Sequence, residues 1–187
     1  MRIIGGKLKG KSIEYLKSAI TRPLKDSVRE NIFNILAHSN LLKINLQHSN
    51  ILDLYSGIGS FGLECMSRGA NEITFVEKDK IAAKILNKNI INLALEEKST
   101  VVEDEIINYL NKIDLKEFEI IFLDPPFTNV NYLNDLKLIH LKKIYSRDHV
   151  VIIHRERKTF DNLETIIKPL IIKEYGRSKI IFGKFLT

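Results

Sequence analysis

Asn50-Ile-Leu-Asp-Leu-Tyr-Ser-Gly-Ile-Gly-Ser-Phe-Gly62 is the stretch around which the rest of the chain is organised. Ile51, Leu52 and Leu54 read as a buried parallel strand, Gly57 and Gly59 as a turn, and Ser60 as the start of a helix with Leu63, Met66 and Ala70 on its apolar side. Glycines at such a turn let the backbone approach a ligand that any Cβ would block. The helix that follows aims unpaired N–H groups at the same place, so the unit is a nucleotide cradle.

Two nucleotides fit this cradle. Gly57, Gly59 and Gly62 match G-x-G-x-x-G, and Glu77 lies at the distance where a dinucleotide fold keeps its ribose carboxylate. Asp53 points the other way, because it sits inside the strand end, four residues before Gly57, where dinucleotide folds keep an apolar residue. A carboxylate there can meet a cationic ligand end such as the amino group of a methionine moiety. Asp-x-x-x-Gly-x-Gly resembles the first motif of methyltransferases that use S-adenosylmethionine (SAM). A plain strand-to-helix joint would leave Asp53 buried with no partner, which costs free energy.

The 187 residues allow one domain with a short appendage and a sizeable core, and 44% hydrophobic with 28% charged residues is the balance of a soluble globular protein. No run approaches the length of a membrane span, and no apolar core follows the basic N-terminus, so a cytoplasmic protein is expected. The single cysteine, Cys65, excludes an internal disulfide and reads as a small packed residue; no Cys or His cluster suggests a metal. Charge is uneven. Residues 1–48 hold nine Lys or Arg against three acids, whereas residues 49–187 hold twenty of each, so the whole net charge of +6 is N-terminal. A basic appendage on a neutral body suits a nucleic-acid substrate, whose phosphates supply the sequence-independent part of binding.

Residues 2–16 read as a small basic hairpin, Ile3 and Ile4 against Ile13 and Tyr15, that leans on the main body or orders on a partner. After the extended Thr21-Arg22-Pro23, a helix from Lys25 or Asp26 buries Val28, Ile32, Phe33, Ile35 and Leu36 and begins its polar side at Arg29 and Glu30. Beyond the glycine turn come a strand at Glu72–Val76 ending in Glu77, a helix capped by Asp79 with Ile81, Ile85, Leu86, Ile90 and Leu93 as core, and a strand at Thr100–Val102 leading into Glu103-Asp104-Glu105. Phe118–Leu123 is a strand that stops at Asp124-Pro125-Pro126-Phe127, where two prolines stiffen the backbone as it leaves the sheet. A helix near Leu133–Lys143, a strand at Val150–His154 and an antiparallel pair, Leu170–Tyr175 with Lys179–Phe185, complete the chain. The expected fold is α/β with an open, mainly parallel sheet and its crevice at the strand carboxyl ends. Asp53, Glu77, Glu105 and Asp124 all fall at such ends.

In this order the motifs resemble the RsmD family of small-subunit ribosomal RNA guanine-N2 methyltransferases, over nearly the whole chain. The resemblance rests on Arg2-Ile-Ile-Gly-Gly-Lys7 with Gly10-Lys11, on Thr21-Arg22-Pro23 with Asp26, Val28-Arg29-Glu30 and Phe33-Asn34-Ile35-Leu36, on Asp53 to Glu64, and on Glu77 and Asp124-Pro-Pro-Phe127. It implies a Rossmann-like seven-stranded methyltransferase domain over residues 21–187 behind an N-terminal basic hairpin at 1–20. It also implies SAM as methyl donor and a guanine of ribosomal RNA as acceptor, in naked RNA or an assembling subunit, with the protein a monomer. Cofactor contacts fall to Asp53, Gly57, Gly59 and Glu77, with either Asp104 or Glu105 at the adenine; RNA contacts fall to Arg2, Lys7, Lys9, Lys11, Arg22 and Arg29. The chain departs from the family pattern at Leu24 and Lys25, at the third strand end, and at His154, which reads as structural or surface.

A guanine exocyclic amine is a poor nucleophile, so the site must align it and accept its hydrogens. Asp124 and the Pro125 carbonyl suit that task, and Phe127 suits stacking on a base withdrawn from its helix. An adenine-N6 methyltransferase shares the Asp-Pro-Pro-Phe signature. A dinucleotide-dependent oxidoreductase and a non-catalytic assembly factor are the readings from other classes.

Overall fold

The computed structural model describes residues 1–15, 24–114 and 116–186, so Arg22 and the Thr21-Arg22-Pro23 segment lie outside the described residues. The chain opens with α1 (Asp26–His38) and continues through β1 (Asn50–Leu54), α2 (Ser60–Ser67), β2 (Glu72–Val76), α3 (Lys80–Asn92) and β3 (Ser99–Val102). The second half runs α4 (Ile106–Lys112), β4 (Phe118–Leu123), α5 (Tyr132–Lys142), β5 (Tyr145–Glu156), β6 (Ile167–Tyr175) and β7 (Ser178–Phe185). Together the strands form one seven-stranded sheet in the order β3-β2-β1-β4-β5-β7-β6. β1 pairs in parallel with β2 and β4, and β7 runs antiparallel between β5 and β6. The strand order reverses between β1 and β4, and that switch point opens a crevice at their carboxyl ends.

Strand alternation builds two cores from one sheet. Ile51, Ile120, Phe122, Val150 and Ile152 face one side, beneath α1, α2 and α3; Leu52, Leu54, Ile121, Leu123, Val151 and Ile153 face the other, beneath α4 and α5. Asp53 points to the same side as Ile51, so its carboxylate is pressed under α2.

The structure bears on several sequence expectations. The N-terminal hairpin is present around the Arg2–Ser12 bridge, with Ile3 N–H donating to the Lys11 carbonyl and Ile13 N–H to the Met1 carbonyl, each at 2.9 Å, and it leans on the end of α2: Ile4 N–H donates to Glu64 Oε2 at 2.8 Å and Lys7 N–H to the Ser67 carbonyl at 2.7 Å. Ile3 and Ile13 are buried in the first core, while Tyr15 is exposed. Arg29, expected on a polar face, is 0% exposed because the docked N-terminal segment covers it. Its guanidinium donates to the Arg2 carbonyl at 2.6 Å, to Ser60 O at 3.3 Å and to Asp26 at 2.8 Å, which makes it a structural tie and removes it from any RNA-facing surface. In α3, Ile81 is 63% exposed, and Ala82, Ala83, Leu86 and Ile90 form the buried face. The β5 strand also begins earlier than expected, since a register irregularity opposite β4 absorbs the polar Ser146-Arg-Asp-His149 run.

Candidate active site

A cavity of about 600 Å3 opens at the carboxyl ends of the parallel strands. Gly57, Glu77, Asp104, Glu105, Asp124, Pro125 and Phe127 line it, so the structure brings most of the expected site residues to one place. Asp53 and Gly59 do not reach its wall. A groove of about 620 Å3 between α1 and β6 carries no carboxylate and lacks these features.

The floor is the β1–α2 joint. Gly57 and Gly59 adopt φ of +55° and +83°, a left-handed backbone that favours glycine. A Cβ on Gly59 would strike Leu86, whereas a Cβ on Gly57 would meet open space, so the backbone at Gly57 is accessible to a ligand. Gly57 N–H donates to Glu77 Oε2 at 2.7 Å, and Glu77 Oε1 accepts from Asp79 N–H at 2.8 Å. These bonds aim the Glu77 carboxylate and leave each oxygen a further lone pair. Beneath them Asp53, 1% exposed, accepts the Gly62 N–H at 3.0 Å through Oδ2, while its Oδ1 is buried with no partner among the described residues. Burial drives the Asp53 carboxyl well above its ordinary range, against the pull of the Gly62 bond.

On the third strand end the two acids differ. Asp104 is held by Asn108, Lys112 and the Glu105 N–H, and the Asn108 and Lys112 bonds hold its carboxyl below the ordinary value. Glu105 is exposed, with one contact to Lys78 Nζ at 3.3 Å.

The opposite wall is the Asp124-Pro-Pro-Phe127 turn, and two residues at the end of β5 grip it. Leu123 pairs with Ile153, so Asp124 and His154 lie side by side. His154 Nδ1 is 2.8 Å from Asp124 Oδ1, its Nε2 is 2.9 Å from Ser178 Oγ, and its ring meets Phe127 edge-on at 5.5 Å. Arg155, 1% exposed and stacked on Tyr132, donates to the Pro126 and Phe127 carbonyls at 3.2 and 3.1 Å and pairs with Asp161. Neither of these carbonyl bonds takes the Pro125 carbonyl. Tyr55, at φ +59°, adds a tie by donating to Asp135 Oδ2 at 2.6 Å; burial raises the carboxyl of Asp135.

In the sequence His154 reads as structural or surface, and no motif marks Arg155, Tyr55 or Asp135. The usable signal was a polar His-Arg pair closing an apolar strand, at the end that neighbours Asp124.

The basic residues Arg2, Lys7, Lys9 and Lys11 are exposed, and none lines the cavity. Tyr15, Lys25 and Arg177 line it as exposed residues, and the buried Leu24 lines it as well.

Known proteins share this architecture. "Ribosomal RNA small subunit methyltransferase D" of Buchnera aphidicola subsp. Baizongia pistaciae is 30% identical over 97% of this chain and 88% of its own length. The protein of the same name from Haemophilus influenzae is 36% identical over 68% of this chain and 64% of its own length. The solved structure of the Escherichia coli protein yhhF superposes with a TM-score of 0.85, at 24% identity, over 100% of this chain and 98% of that one, so the seven-stranded Rossmann-like fold is shared at full length. A family model described as conserved hypothetical protein 95 matches residues 1–184. With that span and the Buchnera relative both running through the glycine cradle and the Asp124 turn, the chain belongs to this family, the one that the RsmD motifs pointed to.

Proposed function

We propose that the protein transfers a methyl group from SAM to the exocyclic N2 of a guanine in small-subunit ribosomal RNA. The observation that carries this reading is the placement of Asp124 and Pro125, adjacent at one strand end, on the same cavity as Gly57 and Glu77. The names of the relatives support RNA as the substrate class and methyl transfer as the reaction.

The residues fit the cofactor. On the cavity Gly57 offers accessible backbone and Glu77 a fixed carboxylate, which suit a ribose; behind the glycine turn Asp53 Oδ1 is a buried acceptor without a partner among the described residues, which suits an ammonium end. Of the two acids at the third strand end, we assign the adenine contact to Glu105, because Asp104 is already committed to Asn108 and Lys112. SAM supplies a methyl group that its sulfonium has already activated.

The protein's own part is alignment and proton handling. Asp124 accepts a hydrogen of the amine, and the Pro125 carbonyl orients the second, so the nitrogen lone pair is freed from the ring as the N–C bond forms. Phe127 stacks on the withdrawn base. The exposed Arg2, Lys7, Lys9 and Lys11 hold RNA phosphates away from the cavity.

Calorimetric titration with SAM and with NAD tests the cofactor. Mass mapping of ribosomal RNA nucleosides from cells lacking the gene tests the acceptor. SAM binding together with loss of one N2-methylguanosine is expected; NAD binding, or an unchanged guanine map, would overturn the proposal.

A further inference from the structure

His154 is buried in the cavity wall, 6% exposed, and it bridges three strands of the sheet. Asp124 follows β4, His154 belongs to β5 and Ser178 opens β7, and the pairings Leu123 with Ile153 and Glu156 with Ser178 bring them into one line. The protons along that line follow from chemistry. A carboxylate oxygen only accepts, so the 2.8 Å bond to Asp124 Oδ1 requires the proton on Nδ1. Nε2 of the neutral ring is then an acceptor, and the Ser178 hydroxyl donates to it at 2.9 Å. The acceptor-only carboxylate of Asp124 sets this tautomer, and the Ser178 hydroxyl, able to donate or accept, completes it.

The consequence lies at the other oxygen. A carboxylate turns about its last side-chain bond through a broad range of angles, whereas an acceptor for a reacting amine must be aimed within hydrogen-bond reach. With Oδ1 held by His154, Oδ2 is the acceptor left for a substrate. The same ring meets Phe127 edge-on at 5.5 Å, so one side chain supports both the acceptor and the proposed base platform.

We infer that His154 is the positioning residue of the transfer: by donating to Oδ1 it fixes the Asp124 carboxylate so that Oδ2 faces the exocyclic amine. This rests on the reading of Asp124 as the amine acceptor. A histidine that merely filled space would make no distinction between substitutes that keep an N–H beside Asp124 and those that do not. A positioning histidine does.

The test uses the full chain, with SAM affinity by calorimetry, single-turnover methyl transfer to small-subunit ribosomal RNA, and thermal unfolding as the check on folding. His154→Leu is expected to lower the single-turnover rate about tenfold to a hundredfold with the SAM dissociation constant changed less than about twofold. His154→Asn puts an amide N–H near the place of Nδ1 and is expected to keep the rate within about fivefold of the parent. In an Asp124→Ala background His154→Leu should add less than about a twofold loss, since no carboxylate remains to be aimed. Should His154→Leu fail to fold, His154→Gln replaces it, because its longer side chain carries the amide away from Asp124, and the same contrast with His154→Asn applies. Equal rates for the Asn and Leu (or Gln) substitutions, or a further full loss in the Asp124→Ala background, would overturn the inference. A slow Asp124→Ala beside an unimpaired His154→Leu overturns it alone, whereas Asp124→Ala at the parental rate removes the reading of Asp124 and this inference together.

Discussion

Asp53 is a buried carboxyl whose protonation is coupled to folding. Its folded-state pKa is raised by burial above the unfolded value of about 3.9, so the unfolded chain ionises first and folding stability falls as pH rises from there through the raised value. Without cofactor, Asp53→Asn is therefore expected to flatten the dependence of the urea midpoint on pH and to be more stable than the parent at neutral pH, while losing affinity for SAM. A variant with the parental pH slope would show that Asp53 is not the source. Glu77→Ala is expected to weaken SAM binding by about tenfold to a hundredfold, from charge-assisted bonds worth about 1.5–3 kcal/mol. Asp124→Ala should spare SAM binding and lower turnover by about a hundredfold or more; Phe127→Ala should cost about 1–3 kcal/mol of stacking, seen partly in apparent RNA affinity. Steady-state and single-turnover kinetics separate the two. At this scale the sequence showed the residues whose neighbours are local. Asp53, Gly57 and Asp124 stand in motifs that carry their own meaning, but His154 owes its role to a partner thirty positions away, and Arg29 looks polar until the N-terminal segment is laid over it.

At the scale of elements, the β4–α5 turn is shaped by the end of β5. Arg155 ties the Pro126 and Phe127 carbonyls to Asp161, and the pair is buried, with side-chain exposures of 1% and 5%. Arg155→Met leaves Asp161 as an unpaired buried charge, so a loss of about 3–5 kcal/mol in urea unfolding is expected. The same variant should transfer methyl more slowly even where it is fully folded, because the Asp124-Pro-Pro-Phe127 backbone loses its clamp. A loss under about 1 kcal/mol would show that the prolines hold the turn unaided. Most strands were legible within a residue or two, since apolar runs bounded by glycine, proline or acids leave little choice. β5 was not, because its polar first half pairs through an irregular register that no periodicity announces. In α3 the buried Leu86 and Ile90 follow from their spacing, but the start of the helix does not: small Ala82 and Ala83 are buried and bulky Ile81 faces solvent.

For the whole molecule, the basic N-terminal segment and the catalytic body are joined by Ile3, Ile13 and the Arg29 tie. Deleting the segment would open the first core, so its role with RNA is better tested by charge alone. Replacing Lys7, Lys9 and Lys11 by Ala should leave SAM affinity unchanged, weaken RNA binding, and reduce the slope of log affinity against log salt by about 0.7–0.9 for each phosphate no longer neutralised. An unchanged slope would move the RNA path elsewhere, toward the cavity-lining Lys25 and Arg177. Charge asymmetry, the succession of strands and helices and the glycine cradle were readable from the chain, as was the hairpin's need for a surface to lean on; that the surface is the end of α2 was not, because backbone bonds leave no mark in residue type. The central claim is that the cavity at the β1 and β4 ends methylates a guanine amine. The measurement that tests it most directly incubates the purified protein with SAM labelled in its methyl group and small-subunit ribosomal RNA from cells lacking the gene, then digests the RNA and identifies the labelled nucleoside by mass. Label in N2-methylguanosine, lost in Asp124→Ala, is the predicted result; label in N6-methyladenosine, or none at all from a protein that binds SAM and RNA, would contradict the account.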